Sequence, residues 1–554
     1  MLDDVYVVSV RDLHVVLPQG WQSGRKTDKL VLRLNKSGLR LLRSSSASPM
    51  KKRAHFAFLL AGGLLFSIAR AADDPHIRQV EQGLLPIAAT RPGVTANIED
   101  RMRAYGVPGL SVAVIDAGKI AWAKGYGVAD SASGRPVTPT TLFQAASISK
   151  PISAVGVLLL VQQGRLQLDE SANLALESWK IPDDTFTRGH PVTVRMLLNH
   201  TAGLEHTGSD FYRPFSGGDP LPSMTQILGG EAPARRGGVS AVSIPGTTFA
   251  YSGSGYEVLQ QLVMDVSGQS FEQYMHLQVF APLGMTNSTF AQPLAAALQS
   301  SAATGYYAGG ERLPGRFRVS PELSVAGLWT TPTDVARYII SVQKAYEGLP
   351  DQLLAPKMAR EMLNPGLGSR GLGPAISGVG PSSRFGHDGF NEGFESSFVA
   401  YEQRGRGAVV MANSGFAFML IKEVLSSISR AYAWPEYGST TQQPPSAGIQ
   451  QQRVSAVPPE VLSALAGRYV SGSTQLVLYR RGSRLLLNWP SNGIAEVFAT
   501  PDGRFFCPPL VFSDTGSPWL QAVRDPKGVA TKILAGDDGS IEFRRVTGGL
   551  IRRR

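Results

Sequence analysis

The chain of 554 residues contains a single cysteine, Cys507, and only eight histidines. One cysteine excludes an internal disulfide bond and cannot build a metal site by itself. The histidines are scattered, and no H-E-x-x-H or H-x-H pattern occurs, so the sequence predicts no metal ligand set and no metal cofactor. No segment of 20 to 50 residues is repeated along the chain, so a repeat architecture is not expected.

Positive charge is concentrated at the N-terminal end of the chain. The formal net charge is +11, but residues 1–71 carry 12 Lys and Arg against 4 Asp and Glu, whereas the remainder carries 42 against 39. A nearly neutral body offers no electrostatic footprint for a polyanion, so nucleic acid is not an expected partner. The length exceeds what one ordinary core supports, which predicts two domains with additional tails.

The segment 50–71 has the layout of a secretory signal peptide. Basic residues at 51–53 precede the apolar run 56–68, and a small-residue Ala-Arg-Ala cleavage site follows it. The apolar run is shorter than the roughly 20 residues that span a bilayer, although a membrane-anchored N-terminus is the alternative. We expect Met50 to be the biological start, with residues 1–49 an over-extended and disordered N-terminus. Export without disulfides is typical of a periplasmic or secreted bacterial protein.

Residues 75–437 mix strand-like and helix-like segments. The segments 109–127 and 396–414 each read as two alternating apolar strands around a tight turn. Between them, 152–170 and 256–268 have helical character, and each contains a glycine that stops the helix. Strands at both ends with helices between predict an α+β body whose terminal strands meet in one antiparallel sheet.

The composition changes after this body. Residues 438–460 are rich in Pro, Gln and Ser, which is typical of a linker. In residues 461–554, hairpin patterns turn at Gly482, Gly503 and Gly539, so we expect a small all-β C-terminal domain. Neither segment contains a cluster of nucleophile, base or metal ligand.

The first candidate for chemistry is the pair Ser147 and Lys150, at the start of a long apolar run in "FQAASISKPIS". On a helix these two side chains share a face, and Ser147 lies at the positive N-terminal end. A serine hydroxyl needs a neighbouring base to become a nucleophile, and a partly buried amine can serve. Because S-x-x-K occurs four times in the chain, an alternative stays open: Ser147 or Ser149 caps the helix and Lys150 extends into solvent.

Two further motifs follow in order. Tyr251 precedes a Ser/Gly loop in "FAYSGSGYEVLQ", and His387 opens H-D-G in "RFGHDGFNEGF". With "LLNHTAGL" at 197–204, the chain resembles the serine β-lactamase and penicillin-binding family in its class C branch. That branch includes class C β-lactamases, D-alanyl-D-alanine carboxypeptidases, D-aminopeptidases and family VIII carboxylesterases, which carry S-x-x-K, Y-x-N or a variant, and K-T-G or H-x-G. The resemblance covers roughly residues 90–430.

The resemblance implies a β-lactamase/transpeptidase-like fold, in which an antiparallel sheet is flanked by helices and joined to a helical subdomain. It also implies catalytic roles for three side chains. Ser147 would be the acylated nucleophile, Lys150 its base partner, and Tyr251 a second proton-transfer group hydrogen-bonded to Lys150. The backbone N–H groups of Ser147 and Phe390 would form the oxyanion hole, and no cofactor would be needed.

The positions implied for substrate binding are Gly253, His387 and Gly389, and two of them depart from the β-lactamase pattern. Gly253 stands where Y-x-N has an amide, and His387 stands where K-T-G has a lysine, so it is expected to be a weaker cation and carboxylate anchor. Gly389 is expected to let the substrate backbone approach the strand. His200 is interpreted as structural, and Asp388 as a solvated turn residue.

Two functional hypotheses from different classes follow. The first is a secreted serine hydrolase acting on carboxylic esters or D-amino-acid-containing peptides, with a class C-type β-lactamase as an alternative within the same mechanism. The second is a non-catalytic protein on the same fold that binds cell-wall fragments. The expected partner is a small-molecule ester, peptide or lactam, and the oligomeric state stays open. The Gly/Pro-rich segment 206–222 is the candidate substrate-shaping loop.

Overall fold

The structure is a computed structural model, and its described residues are 33–35, 38–40, 75–89, 93–205, 215–216, 218–307, 310–435, 437, 452–455, 458–471, 474–489, 493–507, 519–535 and 541–546. The chain divides into two units, Met1–Asp73 and Asp74–Arg554. In the first unit, β1 (Arg33–Asn35) pairs antiparallel with β2 (Gly38–Arg40). This pair lies within the N-terminal segment predicted to be disordered. The predicted signal peptide lies outside the described residues.

The second unit contains helices and strands along its whole described length. Its helices are α1 (Pro75–Gln82), α2 (Ile98–Tyr105), α3 (Ser149–Gln162), α4 (Val194–Leu198), α5 (Met224–Gly229), α6 (Gly253–Ser267), α7 (Phe271–Met275), α8 (Ala281–Leu283), α9 (Ala296–Gln299), α10 (Leu323–Ala326), α11 (Pro332–Glu347), α12 (Pro356–Leu363), α13 (Phe418–Ala431) and α14 (Pro459–Leu465). Its strands are β3 (Ala88–Ala89), β4 (Gly109–Asp116), β5 (Lys119–Asp130), β6 (Arg135–Pro136), β7 (Phe143–Gln144), β8 (Trp329–Thr330), β9 (Ala375–Ser377), β10 (Arg384–Asn391), β11 (Phe394–Tyr401), β12 (Gly407–Ala412), β13 (Gln452–Arg453), β14 (Gly467–Ser471), β15 (Thr474–Arg481), β16 (Arg484–Trp489), β17 (Gly493–Ala499), β18 (Phe505–Phe506), β19 (Trp519–Arg524), β20 (Ala530–Ala535) and β21 (Ile541–Arg545).

A sheet of seven described strands forms the centre of the body, in the order β6-β5-β4-β12-β11-β10-β9. Every neighbouring pair is antiparallel. Strands β4 and β12 come from opposite ends of the body and lie side by side, with Val112 opposite Val410. The predicted α+β architecture, with terminal strands that meet in one antiparallel sheet, is therefore confirmed.

The two faces of this sheet carry separate apolar cores. Because side chains alternate along a strand, Ala113 and Ile115 of β4 face one core while Val112 and Val114 face the other. The first core also contains α3, α6 and α11, and the second contains residues of α1, α2 and α13. Both faces are covered by helices, which explains why β4 reads as an almost continuous apolar run.

Helices α3 and α6 lie where the sequence predicts helices. Helix α3 is apolar around most of its circumference, since twelve of its residues are buried, which is typical of a helix inside a core. The chain reverses after it at Gly164, where φ is 71°. Helix α6 ends at Gly268 in the left-handed conformation, with φ of 70°, which a residue with a side chain adopts at a cost.

The C-terminal segment forms a closed barrel of the described strands β14 to β21. Gly482 and Gly503 lie in its turns with φ of 59° and 82°, whereas Gly539 lies outside the described residues. Helix α14 precedes the barrel, and the alternating strand pattern did not predict it. Leu486 on the outer barrel surface joins the second core of the body, and Arg484 lies 5.0 Å above the Phe416 ring. The barrel therefore packs against the body.

A buried carboxylate joins three segments under this second core. Glu423 of α13 is fully buried and accepts hydrogen bonds from the backbone N–H of Ile87 at 2.8 Å and from the Tyr105 hydroxyl at 2.7 Å. Arg101 of α2 pairs with the same carboxylate through two nitrogens, at 2.8 and 2.9 Å. Every partner of the carboxylate is a donor, so its negative charge is compensated in the core.

We predict that Glu423→Gln lowers the free energy of unfolding by about 3 kcal/mol, because the substitution leaves the Arg101 guanidinium without its buried counter-charge. Thermal and urea unfolding of the purified variant measure this change. The matched control is Glu177→Gln, at an exposed glutamate, which should change stability by no more than about 0.5 kcal/mol. Equal stability of the two variants would contradict the prediction.

Candidate active site

Ser147 lies in a 3₁₀ turn that leads directly into α3. The preceding Ala146 has φ of 50°, a left-handed conformation that costs energy for a residue with a side chain. Hydrogen bonds hold this turn: Ser149 Oγ donates to the Ala146 carbonyl at 2.6 Å, and Ser396 Oγ donates to the Ala145 carbonyl at 2.8 Å. The surrounding structure therefore maintains a strained turn, which is a common feature of functional sites.

Lys150 is fully buried beside Ser147. Its Nζ donates to Ser147 Oγ at 3.2 Å and to the Val325 carbonyl at 3.1 Å. Burial excludes the alternative in which Lys150 extends into solvent. Neither Ser147 nor Ser149 caps α3, since no side chain accepts a hydrogen bond from the backbone N–H groups of its first turn. The spacing of three residues thus places an amine and a hydroxyl in contact, as the helical pattern predicts.

Tyr251 lies just before α6 and faces Lys150. The Lys150 Nζ lies 4.9 Å from the centroid of the Tyr251 ring, while the predicted hydrogen bond to the phenol stays a prediction. On its other side, Tyr251 packs against His200 at 4.4 Å between ring centroids. His200 Nδ1 accepts the Ser252 N–H at 3.1 Å, and its carbonyl accepts the Ala250 N–H at 2.9 Å. His200 therefore holds the segment that carries Tyr251, as its structural interpretation expects.

His387 lies on β10, with its ring 6.1 Å from that of Tyr251. Its Nδ1 lies 2.6 Å from the Asp388 carbonyl oxygen, so Nδ1 carries the hydrogen and Nε2 has a lone pair. The Nε2 atom is buried and has no hydrogen-bond partner among the described residues. Burial, together with the charges of Arg370 and Lys150, lowers the pKa of His387 far below its ordinary range. His387 is thus a neutral acceptor at neutral pH, not the weak cation expected.

Asp388 does not lie in the turn that was expected, although its side chain is 38% exposed. It lies within β10, which continues to Asn391 before the chain turns. Its carboxylate pairs with Lys422 of α13 at 3.0 Å and accepts a hydrogen bond from Ser397 Oγ at 2.5 Å. Lys422 and Ser397 hold the pKa of Asp388 below its usual value, against the effect of burial. The H-D-G triplet resembles a turn locally, but strand pairing with β11 determines its conformation.

Gly389 allows β10 to approach the turn of Ser147. A Cβ atom at this position would lie 2.3 Å from the Ala145 carbonyl oxygen and 3.2 Å from the Ala146 Cβ. The glycine is therefore required for contact between strand and turn, while the expected approach of the substrate backbone at this position stays a prediction. Phe390 follows directly, and its side chain is 39% exposed. The close approach brings the backbone of Phe390 toward Ser147, while their role as an oxyanion hole stays a prediction.

Arg370 is a site residue that the sequence analysis missed. It is half-buried, and its Cζ lies 5.6 Å from the Tyr251 ring centroid and 5.5 Å from that of Phe249. A lone arginine in the glycine-rich stretch "GLGSRGLGP" gives no local signal for such a position. Gly253, by contrast, lies where expected. It is buried at the first position of α6 and provides no side-chain amide.

Within the ranges that the structure describes, no three His, Cys, Asp or Glu side chains come together in a way that could hold a metal ion. The same ranges contain no helix with the length and apolar character needed to cross a membrane. Of the predicted substrate-shaping loop 206–222, residues 206–214 and 217 lie outside the described residues.

Comparison with known proteins places this site in a family. The Beta-lactamase family profile matches residues 94–420. Protein flp of Staphylococcus aureus (strain MW2) is 25% identical over 328 residues, which cover 57% of this chain and 61% of flp. The unguisins hydrolase ungD of Aspergillus violaceofuscus is 28% identical over 225 residues, covering 38% of this chain and 36% of ungD. The chain thus spans about three fifths or less of the length of these two curated relatives.

One solved structure supports the fold assignment. The octameric penicillin-binding protein homologue from Pyrococcus abyssi has a TM-score of 0.54 and 21% identity, and the match covers 81% of this chain and 97% of that one. At this identity the likeness shows the fold alone, which is β-lactamase/transpeptidase-like. Since the family profile spans more than half of its residues, the chain belongs to the Beta-lactamase family, whose members are generally serine hydrolases.

Proposed function

We propose that this protein is a serine hydrolase that forms an acyl-enzyme on Ser147 and acts on carboxylic esters or D-amino-acid-containing peptides and amides. The observation that carries the proposal is the contact between the fully buried Lys150 amine and Ser147 Oγ at 3.2 Å. A buried amine in contact with a hydroxyl is the arrangement that nucleophilic catalysis by serine requires. The name of the relative ungD, a hydrolase, is consistent with this chemistry.

The catalytic cycle follows from the positions of three side chains. Lys150 in its neutral form takes the proton of Ser147 Oγ, which attacks the substrate carbonyl carbon. The resulting oxyanion accepts hydrogen bonds from the backbone N–H groups of Ser147 and Phe390, each worth on the order of 3 kcal/mol. Tyr251, beside Lys150, passes a proton to the leaving alcohol or amine. Water then cleaves the acyl-enzyme with the help of Tyr251.

A class C-type β-lactamase is the first alternative, and Gly253 weighs against it. A glycine at this position has no side-chain amide that could orient the acylamino side chain of a lactam substrate. His387 also differs from a lysine, because burial and the neighbouring cations keep its imidazole neutral. It can accept a hydrogen bond through Nε2 but provides no positive charge. These two positions favour an ester or a peptide substrate over a lactam.

A non-catalytic protein that binds cell-wall fragments is the alternative from another class. Burying an amine costs free energy, because the amine loses its hydration. A protein that only binds cell-wall fragments would have no chemical role for the amine to offset that cost. Lys150 is nevertheless fully buried, and it contacts Ser147 Oγ through a turn that is itself strained at Ala146. The retained strain and the retained contact together favour a catalytic role.

We also propose that the protein is exported, on the basis of the signal-like segment 50–71. The basic stretch, apolar run and small-residue cleavage site of this segment support the proposal. N-terminal sequencing of protein recovered from the periplasm or medium of a bacterial host tests it. A mature N-terminus at Ala72 is expected, whereas retention of residues 50–71 on the cytoplasmic protein would contradict export.

We predict that Ser147→Ala abolishes hydrolysis of 4-nitrophenyl butyrate, because the nucleophile is lost. Spectrophotometric release of 4-nitrophenol by the wild-type protein and the variant measures the effect, which should exceed about 1,000-fold in kcat/KM. The matched control is Ser341→Ala, in the S-x-x-K of α11, which should keep wild-type turnover. Equal activity of Ser147→Ala and Ser341→Ala would contradict the proposed nucleophile.

The neutral state of His387 predicts a dependence of stability on pH. Because the pKa of His387 is lowered on folding, the unfolded chain binds a proton below pH 6.5 that the folded protein does not. The stability associated with this residue is therefore present above pH 6.5 and is lost at up to about 1.4 kcal/mol per pH unit as the pH falls.

His387→Gln should therefore reduce the loss of thermal stability between pH 6.5 and pH 5. Calorimetric unfolding at several pH values measures the slope for the wild-type protein and the variant. His190→Gln, at an exposed histidine, serves as the matched control. If both variants lose stability as steeply as the wild-type protein, His387 is not held neutral by the fold.

A further inference from the structure

Lys150 has a second contact, which the proposed catalytic cycle does not use. Its Nζ donates to the backbone carbonyl of Val325 at 3.1 Å, about as close as it lies to Ser147 Oγ, at 3.2 Å. Val325 is fully buried and belongs to α10, a helix of only four residues. A helix of this length does not persist by itself in water, because forming the first turn is unfavourable. Contacts from other elements must therefore hold this carbonyl in place.

Helix α3 holds two consecutive carbonyl groups of α10. The last carbonyls of any helix have no partner inside the helix and need one from outside. Lys150 provides this partner for Val325, and Ser153 Oγ, one turn further along α3, donates to the Ser324 carbonyl at 3.4 Å. The face of α3 that carries Lys150 is thus joined to α10 at two points.

The opposite side of α10 is held by one glutamine of α6. Gln260 Oε1 accepts the Ser324 N–H at 3.0 Å, and Gln260 Nε2 donates to the Pro321 carbonyl at 3.2 Å. The residue before a helix often caps such an N–H with its own side chain, but the side chain of Glu322 accepts no hydrogen bond from the first turn of α10. Gln260 therefore caps α10 from a neighbouring helix, through both ends of its amide.

Ser324 provides a second connection between α10 and α6. Its Oγ donates to the Tyr256 carbonyl at 2.6 Å, one turn before Gln260 on α6. Ser324 is fully buried and Gln260 is 4% exposed, so these hydrogen bonds are shielded from water, where they are stronger. The helix that follows Tyr251 thus also fixes the carbonyl that Lys150 contacts.

The Val325 carbonyl gives the Lys150 amine a direction. A neutral amine has two hydrogens and one lone pair, and only the lone pair can take the proton of a serine hydroxyl. Donation of one hydrogen to Val325 limits rotation about the Cε–Nζ bond and leaves the lone pair available to Ser147 Oγ. Without the carbonyl, the amine is free to direct a hydrogen at the hydroxyl instead.

We propose that Gln260 is a positioning residue, which holds the Val325 carbonyl in place and thereby directs the lone pair of Lys150. Both ends of the Gln260 amide are occupied by α10, so Gln260 acts through this helix and not on the substrate. The inference rests on the proposed hydrolase function, and it adds to that site a residue that belongs to none of its three motifs.

The test compares Gln260→Met with Gln261→Met, at consecutive positions of α6. Methionine is close to glutamine in length, but its thioether donates nothing and accepts only weakly. The two glutamines are 4% and 5% exposed, and Gln261 donates to Asp265 of the same helix at 2.7 Å. Gln260→Met should lower the acylation rate constant about 100-fold with KM unchanged, the effect of a misplacement of about 1 Å. Gln261→Met should keep the wild-type rate constant.

Stopped-flow measurement of the first turnover of 4-nitrophenyl butyrate gives the acylation rate constant, on variants whose fold is checked by circular dichroism. Gln260→Glu keeps an acceptor for the Ser324 N–H and should have a rate constant between those of Gln260→Met and the wild-type protein. Wild-type acylation by Gln260→Met, or equal slowing in Gln261→Met, would overturn the proposal. A higher KM without a slower acylation would do the same, since Gln260 would then act on substrate binding.

A spectroscopic measurement separates this proposal from the hydrolase function. In protein labelled with ¹³C-lysine, the Cε resonance of Lys150 is identified by its absence in Lys150→Arg. Gln260→Met should move this resonance and Gln261→Met should leave it in place, even if the wild-type protein hydrolyses no ester. An unmoved resonance in Gln260→Met would show that Gln260 does not position Lys150, whatever the turnover of the wild-type protein.

Discussion

The close approach of β10 to the turn of Ser147 is the constraint on which the active site depends. At position 389 only a glycine fits, because a side chain would clash with the carbonyl oxygen of Ala145. Ser396 on the neighbouring strand holds the same carbonyl oxygen at 2.8 Å. The sheet thereby fixes a turn that is strained at Ala146, and the first turn of α3 then places the Lys150 amine against Ser147 Oγ. The proposed nucleophile, base and oxyanion donors are all positioned by the contact between one strand and one turn.

Charge is distributed unevenly around this contact. Lys150 and Arg370 lie near Tyr251, and the imidazole of His387 remains neutral because of its burial and the electrostatic effect of these two side chains. Asp388, the nearest carboxylate on β10, is held by Lys422 of α13 and does not neutralise the site. Positive charge close to the reacting carbonyl is suited to the oxyanion of acyl transfer.

The parts of this structure that depend on local sequence could be predicted. The hairpins at 109–127 and 396–414 follow from alternating apolar residues, and α3 follows from a long apolar run closed by Gly164. The contact between Ser147 and Lys150 follows from helical spacing. The relation of Arg370 to Tyr251 could not be predicted, because it depends on how distant segments pack.

The same limit explains the two site residues whose state was misjudged. Asp388 sits in a triplet that favours a turn, but pairing with β11 and the ion pair to Lys422 hold it in a strand. The neutral state of His387 depends on burial and on the charges of Arg370 and Lys150, which are distant from it in the sequence. A local sequence pattern contains neither. The central claim is that Ser147 becomes acylated. It is tested by quenching the protein with acid during turnover of 4-nitrophenyl butyrate and locating the adduct by peptide mass spectrometry. The account predicts one butyryl group on Ser147, and a butyryl group on any other residue, or one that persists in Ser147→Ala, would contradict it.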